Sequence, residues 1–177
     1  MKKILVFGSS NSSSSINKQL AIYAAQQLKD VELEIIDLIE YDLPIYSPDL
    51  ERAQGSPKEV IEFNNLIAAV DGIVLSMAEY NGCYTAVFKN IFDWTSRIDN
   101  KVWKDKPMFL LGTSPGRRGA KGVLKIAKDA FPFFGGNIVA DFSLPQFHHN
   151  FKNGEIIEEA LSKEFHRQVD IYQAVLD

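Results

Sequence analysis

Three runs of this chain are apolar at nearly every position and short enough to be strands. They are Ile4-Leu5-Val6-Phe7, Ile73-Val74-Leu75 and Met108-Phe109-Leu110-Leu111. Continuous apolar character means burial on both faces, the condition of a parallel sheet covered by helices. Each run stops at small residues, Gly8-Ser9, Ser76 and Gly112-Thr113, and each leads into a stretch of helical period.

The rest of the chain keeps the alternation. Ile16 to Leu28 reads as a helix with Ile16, Leu20, Ala24 and Leu28 on one face. Val31 to Ile36 is a second strand, with Val31, Leu33 and Ile35 alternating. Pro57 to Val70 is a helix capped by Ser56, with Val60, Phe63, Ile67 and Val70 as its stripe. Further helices are expected over Thr85 to Ile98, Ala120 to Phe131 and Glu155 to Leu176, and a short fifth strand over Asn137 to Ala140. Five strands separated by helices imply an α/β fold with helices on both faces of a parallel sheet. The expected architecture is a flavodoxin-like three-layer α/β/α sandwich with strand order 2-1-3-4-5, one domain over residues 1–177.

Composition narrows the function classes. The formal charge is −4 and there is no long basic run, so nucleic acid and anionic membrane are not expected partners. No apolar segment is long enough to cross a bilayer. The run Ile4–Phe7 is too short for a signal-peptide core, so a cytoplasmic setting is expected. A single cysteine, Cys83, excludes internal disulfides and cysteine-based zinc sites.

In open α/β sheets, ligands sit beyond the carboxyl ends of the strands. The connection Gly8 to Asn17 is rich in serine. Its backbone amides, its hydroxyls and the following helix N-terminus suit a phosphate. The plainer reading is a flexible loop with Ser14 or Ser15 as helix cap; the position after the first strand favours phosphate. The loop is neither a Walker motif nor a dinucleotide fingerprint.

The connection Glu79 to Cys83 contains Asn81-Gly82, which suits a turn of positive φ. Tyr80 beside it suits the border of a planar ligand. In the helix that follows, Val87, Ile91, Trp94 and Ile98 read as core. Phe88 and Phe92 form a second apolar stripe that needs a cover, either a neighbouring loop or, as the favoured reading, a subunit contact. The connection Gly112 to Gly119 has small residues that admit a ring edge, and Arg117 and Arg118 suit either solvent or a second anionic ligand.

Other features carry less. His148-His149 lack the companions of a metal site and read as loop histidines, with lining of an acceptor pocket as the alternative. Asp37 lacks the glycine fingerprint that would make it a ribose ligand, and Ser9 is not in a Gly-x-Ser-x-Gly elbow.

These loops resemble those of the NAD(P)H-dependent FMN reductases, the flavodoxin-like group of quinone, azo-dye and chromate reductases. The resemblance rests on Gly8, Ser9, Ser15 and Asn17 in the first loop. It rests also on Asp37-Leu38 with Leu43-Pro44-Ile45-Tyr46 and Asp49, on Glu79-Tyr80-Asn81-Gly82 with Lys89-Asn90 and Asp93-Trp94, and on Ser114-Pro115-Gly116 with Gly119. It implies that Ser9, Asn11, Ser15, Ile16 and Asn17 hold the phosphate of FMN. Glu79, Tyr80, Asn81 and Gly82 would line the isoalloxazine, and Ser114, Pro115 and Gly116 its opposite side. It implies NAD(P)H as co-substrate, hydride transfer from nicotinamide C4 to flavin N5, and ping-pong delivery to a small-molecule acceptor such as a quinone, an azo dye or free flavin. It implies a homodimer or tetramer, with Phe88 and Phe92 at the contact. No catalytic acid or base is implied, because the flavin carries the chemistry. Three departures stand out: Asn11 where the family has arginine, Ala78 where it has proline, and Cys83 where it has serine. Two other readings remain: a flavin-binding electron carrier without NAD(P)H turnover, and a nucleotide-processing enzyme with Glu79 as nucleophile.

Overall fold

The computed structural model describes residues 1–177. In chain order the elements are β1 (Lys2–Gly8), α1 (Ile16–Gln26), β2 (Val31–Ile35), α2 (Pro48–Gln54), α3 (Lys58–Ala69), β3 (Gly72–Met77), α4 (Ala86–Ile98) and β4 (Pro107–Thr113). They continue as α5 (Lys121–Ala130), β5 (Asn137–Leu144), α6 (Phe147–Asn150), β6 (Phe151–Lys152), β7 (Glu155–Ile156) and α7 (Glu159–Leu176). The first five strands form one sheet in the order β2-β1-β3-β4-β5, parallel at every pairing. This is the expected order. β3 is buried at every position, whereas the edge strands β2 and β5 are only partly covered.

Strand side chains alternate between two cores. Ile4 and Val6 point toward α1 and α7; Leu5 and Phe7 point toward α3, α4 and α5. The register aligns Gly8 with Ser76 and Met77 with Gly112, so the loops leaving β1, β3 and β4 emerge side by side. Gly8 is required there by close approach: a Cβ on it would lie 2.5 Å from the backbone nitrogen of Lys18 in α1.

The expectation for Phe88 and Phe92 is corrected. Both are buried within the chain, stacked on Trp103 at 6.4 and 5.8 Å and facing Phe131 at 6.2 and 5.9 Å. The cover is the α4–β4 connection, held down by the Trp103 N–H donating to the Phe134 carbonyl at 3.0 Å. Tyr84 sits at the edge of this aromatic cluster with its hydroxyl buried and unpartnered, and burial pushes its pKa up to about 12. Ile98, read as core, is exposed at the last turn of α4.

Boundaries shift at the other end of the chain. The last helix starts at Glu159, because Glu155–Ile156 pairs back onto Phe151–Lys152. Asn153 and Gly154, at φ 52° and 83°, make the two-residue turn that permits this. Pro57, not Ser56, is the cap residue of α3. α2 has no counterpart in the sequence reading. It buries no residue, so it has no apolar stripe, and it rests on the Ser47 cap and Pro48.

Candidate functional site

The loops after β1, β3 and β4 enclose a crevice of about 230 Å³ at the carboxyl edge of the sheet. The β1–α1 loop contributes Ser10, Ser12, Ser14, Ser15, Ile16 and Asn17. The β3–α4 loop contributes Ala78, Glu79 and Tyr80, and the β4–α5 loop Thr113, Ser114 and Pro115. His148 of α6 completes the lining.

The serine loop is fixed from behind by buried long-range bonds. Ser9 is fully buried: its N–H donates to the Ser76 carbonyl at 2.9 Å and its Oγ accepts from the Ala78 N–H at 2.8 Å. Its carbonyl accepts from the Thr85 hydroxyl at 2.5 Å. Asn17 Oδ1 accepts from the Ser76 hydroxyl at 2.8 Å and from the Thr113 N–H at 3.0 Å, while its Nδ2 donates to the Thr113 carbonyl at 3.1 Å. One side chain thus ties α1 to both β3 and β4. In front, Ser15 caps α1, its Oγ accepting from the Lys18 N–H at 3.1 Å. The first-turn N–H groups of Ile16 and Asn17 have no intrahelical partner and stand at the crevice.

The tip of the β3–α4 wall is fixed by local geometry as well. Tyr80 and Cys83 exchange two backbone hydrogen bonds, both 3.1 Å, across Asn81 and Gly82 at φ 53° and 78°. This is the tight Asn-Gly turn of a hairpin. Its tip is exposed, and Asn81 and Gly82 do not reach the crevice. Tyr80 does: its hydroxyl shares a 3.2 Å hydrogen bond with Ser10 and joins the two walls. The Glu79 carboxylate accepts from the Val123 N–H at 2.8 Å, capping α5, whose own cap residue Ala120 offers no side-chain bond. It lies so close to Gly122 that a Cβ there would stand 2.8 Å from it. This engagement at the start of α5 gives Glu79 a structural role.

The β4 loop is pinned by the segment before α6. Gln146 N–H donates to the Gly116 carbonyl at 2.9 Å and Phe147 N–H to the Ser114 carbonyl at 3.0 Å. Phe147 is buried, so the exposed His148 is carried on an anchored backbone. Arg117 and Arg118 are exposed and make no ion pair, and neither lines the crevice. Lys18 pairs with Asp37 at 2.5 Å. Burial alone would raise the Asp37 carboxyl, but the Lys18 ammonium and the Ile39 N–H hold it below its ordinary range. Asp37 is therefore a cap and an ion-pair partner.

Of the residues singled out from the sequence, Ser15, Ile16, Asn17, Glu79, Tyr80, Ser114 and Pro115 meet at one crevice. Ser9 lies behind it, Asn11 projects from the loop into solvent, and Gly116 is held just outside. Ser10, Ser12, Ser14, Ala78 and Thr113 line it without having been named as ligands. The hint for them was positional, since each flanks a residue that was named. Free helix amides and serine hydroxyls form an acceptor-seeking donor set, which fits a phosphate. Ala78 to Tyr80 and Thr113 to Pro115 line the same crevice, and Tyr80 offers an aromatic surface beside a planar ligand. No group of three or more histidine, cysteine or acidic side chains is placed to hold a metal, and no helix is long and apolar enough to cross a membrane.

Comparison with known proteins points the same way. The family description "NADPH-dependent FMN reductase" matches residues 2–149. A 2-hydroxy-1,4-benzoquinone reductase of Burkholderia sp is 36% identical over 119 residues, which cover 66% of this chain and 63% of that protein. The NAD(P)H-dependent FMN reductase PA1204 of Pseudomonas aeruginosa is 35% identical over 89 residues, 50% of this chain and 46% of that protein. The chain thus spans between about half and two thirds of the length of these curated relatives. Among solved structures, FerB, a flavoenzyme NAD(P)H:(acceptor) oxidoreductase from Paracoccus denitrificans, superposes with a TM-score of 0.77 at 27% identity, covering 99% of this chain and 97% of that one.

Proposed function

The chain belongs to the NADPH-dependent FMN reductase family, and from that premise we propose that it is an FMN-dependent NAD(P)H oxidoreductase that delivers electrons to a small acceptor. The observation that carries the proposal is the convergence of three strand-end loops on one crevice lined by the unpartnered first-turn amides of α1 and by Tyr80. Ile16 and Asn17 N–H groups, with the hydroxyls of Ser12 and Ser14, would take the phosphate. Ala78, Tyr80, Thr113, Ser114 and Pro115 would border the ring. Asn81 and Gly82 act by setting the turn that aims Tyr80. Bound FMN supplies the redox chemistry by accepting hydride and releasing reducing equivalents. The side chains would supply position, and Glu79 is engaged at α5.

Tyr80, at the lining, is exposed to solvent, and in this reading NAD(P)H and the acceptor would reach the ring in turn, as a ping-pong enzyme requires. A quinone is the favoured acceptor class, on the likeness to the benzoquinone reductase; azo dyes and free flavin are the others. The active unit is a homodimer or tetramer, and its contact does not involve Phe88 or Phe92. The test is a visible spectrum of purified protein, then NAD(P)H oxidation with menadione. A flavin spectrum with acceptor-dependent oxidation is expected. Flavin without oxidation would favour an electron carrier, and protein that takes up no FMN would defeat the reading.

A further inference from the structure

We propose that His148 supplies the positive charge that faces the FMN phosphate in this protein; the proposal rests on the FMN reading above. The crevice lining contains no lysine or arginine. A phosphate would meet neutral amides and hydroxyls, while Glu79 adds negative charge to the same cavity. His148 is the one lining side chain able to become a cation.

Its position is set by the layering of the sheet. α6 packs on the same face as α1: Phe147 stacks on Phe151 at 4.9 Å, and Phe151 meets Tyr23 of α1 at 5.2 Å. Glu79 and Tyr84 belong to the opposite side, against α5 and Phe131. His148 therefore lines the crevice from an element packed on the same face of the sheet as α1, whose free amides line it too.

Other cations are engaged or outside. Lys18 is held by Asp37, and Arg117 and Arg118 lie on the β4–α5 loop beyond the lining. The other titratable groups of the lining are Glu79 and Tyr80; His149 is its neighbour on α6 and Lys152 follows on β6, and His148 forms no ion pair. An imidazolium N–H directed at a phosphate oxygen makes a charge-assisted hydrogen bond.

The experiment compares FMN with riboflavin, which lacks the phosphate. Dissociation constants are measured by flavin fluorescence for wild type, His148→Gln and His148→Arg at points from about pH 5 to about pH 8, the range over which histidine side chains in general change charge. His148→Gln should weaken FMN about tenfold while leaving riboflavin unchanged, as loss of one charged hydrogen bond predicts. His148→Arg should hold FMN at least as tightly as wild type. An FMN constant within about twofold of wild type in His148→Gln, or equal weakening of FMN and riboflavin, overturns the assignment and leaves the cofactor reading intact. Wild-type protein that binds neither flavin overturns both. Because His148 is exposed, each variant is expected to melt with wild-type cooperativity.

Discussion

The two walls of the crevice solve one problem in different ways. Both must hold backbone groups still at the end of a strand, where no ladder continues. The β1–α1 wall does it with side chains that reach across the sheet: Ser9 to Ala78, and Asn17 to Ser76 and Thr113. The β3–α4 wall receives some of those bonds at its base and adds a local device at its tip, the φ values of Asn81 and Gly82 and the paired bonds of Tyr80 and Cys83. A wall held by buried long-range bonds fails as a unit when one member is lost, since each partner is then left unsatisfied. A wall held by local dihedrals loses only the cost of one residue's conformation.

Asn17→Ala breaks the comparison most directly. It strands the Thr113 N–H and carbonyl and the Ser76 hydroxyl in a buried setting, and should cost about 3 kcal/mol of unfolding free energy. Urea denaturation of the apoprotein reads this, and a loss below about 1 kcal/mol would mean that water replaces the side chain and that the wall is not a buried network. Glu79→Ala should cost less, about 1–2 kcal/mol, because it removes a cap from α5 and nothing else. Hydrogen exchange should place that loss in the first turn of α5; protection lost instead around Tyr80 would show that Glu79 orders its own loop. Gly82→Ala comes next, at about 1 kcal/mol for a left-handed residue that gains a Cβ. No atom lies within 4 Å of that Cβ, so a larger loss would reveal a packing role that the turn does not show.

What was legible follows the same division. Local signals survived: the apolar strands, the Asn81-Gly82 turn and a serine cap at Ser14 or Ser15 all depend on neighbours in sequence, while the strand order followed from the fold class that their alternation with helices implies. Direction did not. A serine or asparagine in a small-residue loop reads alike whether it faces a ligand or the protein interior. Ser9 and Asn17 turned their side chains inward, and Asn17 finds Thr113 across 96 positions. The cover over Phe88 and Phe92 was hidden because Trp103 sits in a connection with no helical or strand period. His148 reads as a loop residue because nothing local announces that α6 returns to the crevice on the α1 face of the sheet.

The smallest predicted effect concerns Asn11, where the family resemblance invites an arginine. Position alone suggests that Asn11→Arg would restore a cation beside the phosphate and tighten FMN markedly. The fold argues otherwise. Asn11 is exposed on the outer turn of the serine loop, outside the lining, so an arginine there would stay in water and order a long side chain for little return. Exposed ion pairs contribute about 0.2–1 kcal/mol, which corresponds to a gain in FMN affinity of no more than a few-fold. Screening should remove most of that gain when FMN titrations are repeated at about 1 M salt. A gain above about tenfold that persists in salt would require the arginine to be desolvated against the phosphate. The phosphate would then sit at the outer turn and not at the α1 amides, and the serine loop would be a ligand-ordered segment in place of the prebuilt wall described by Ser9 and Asn17.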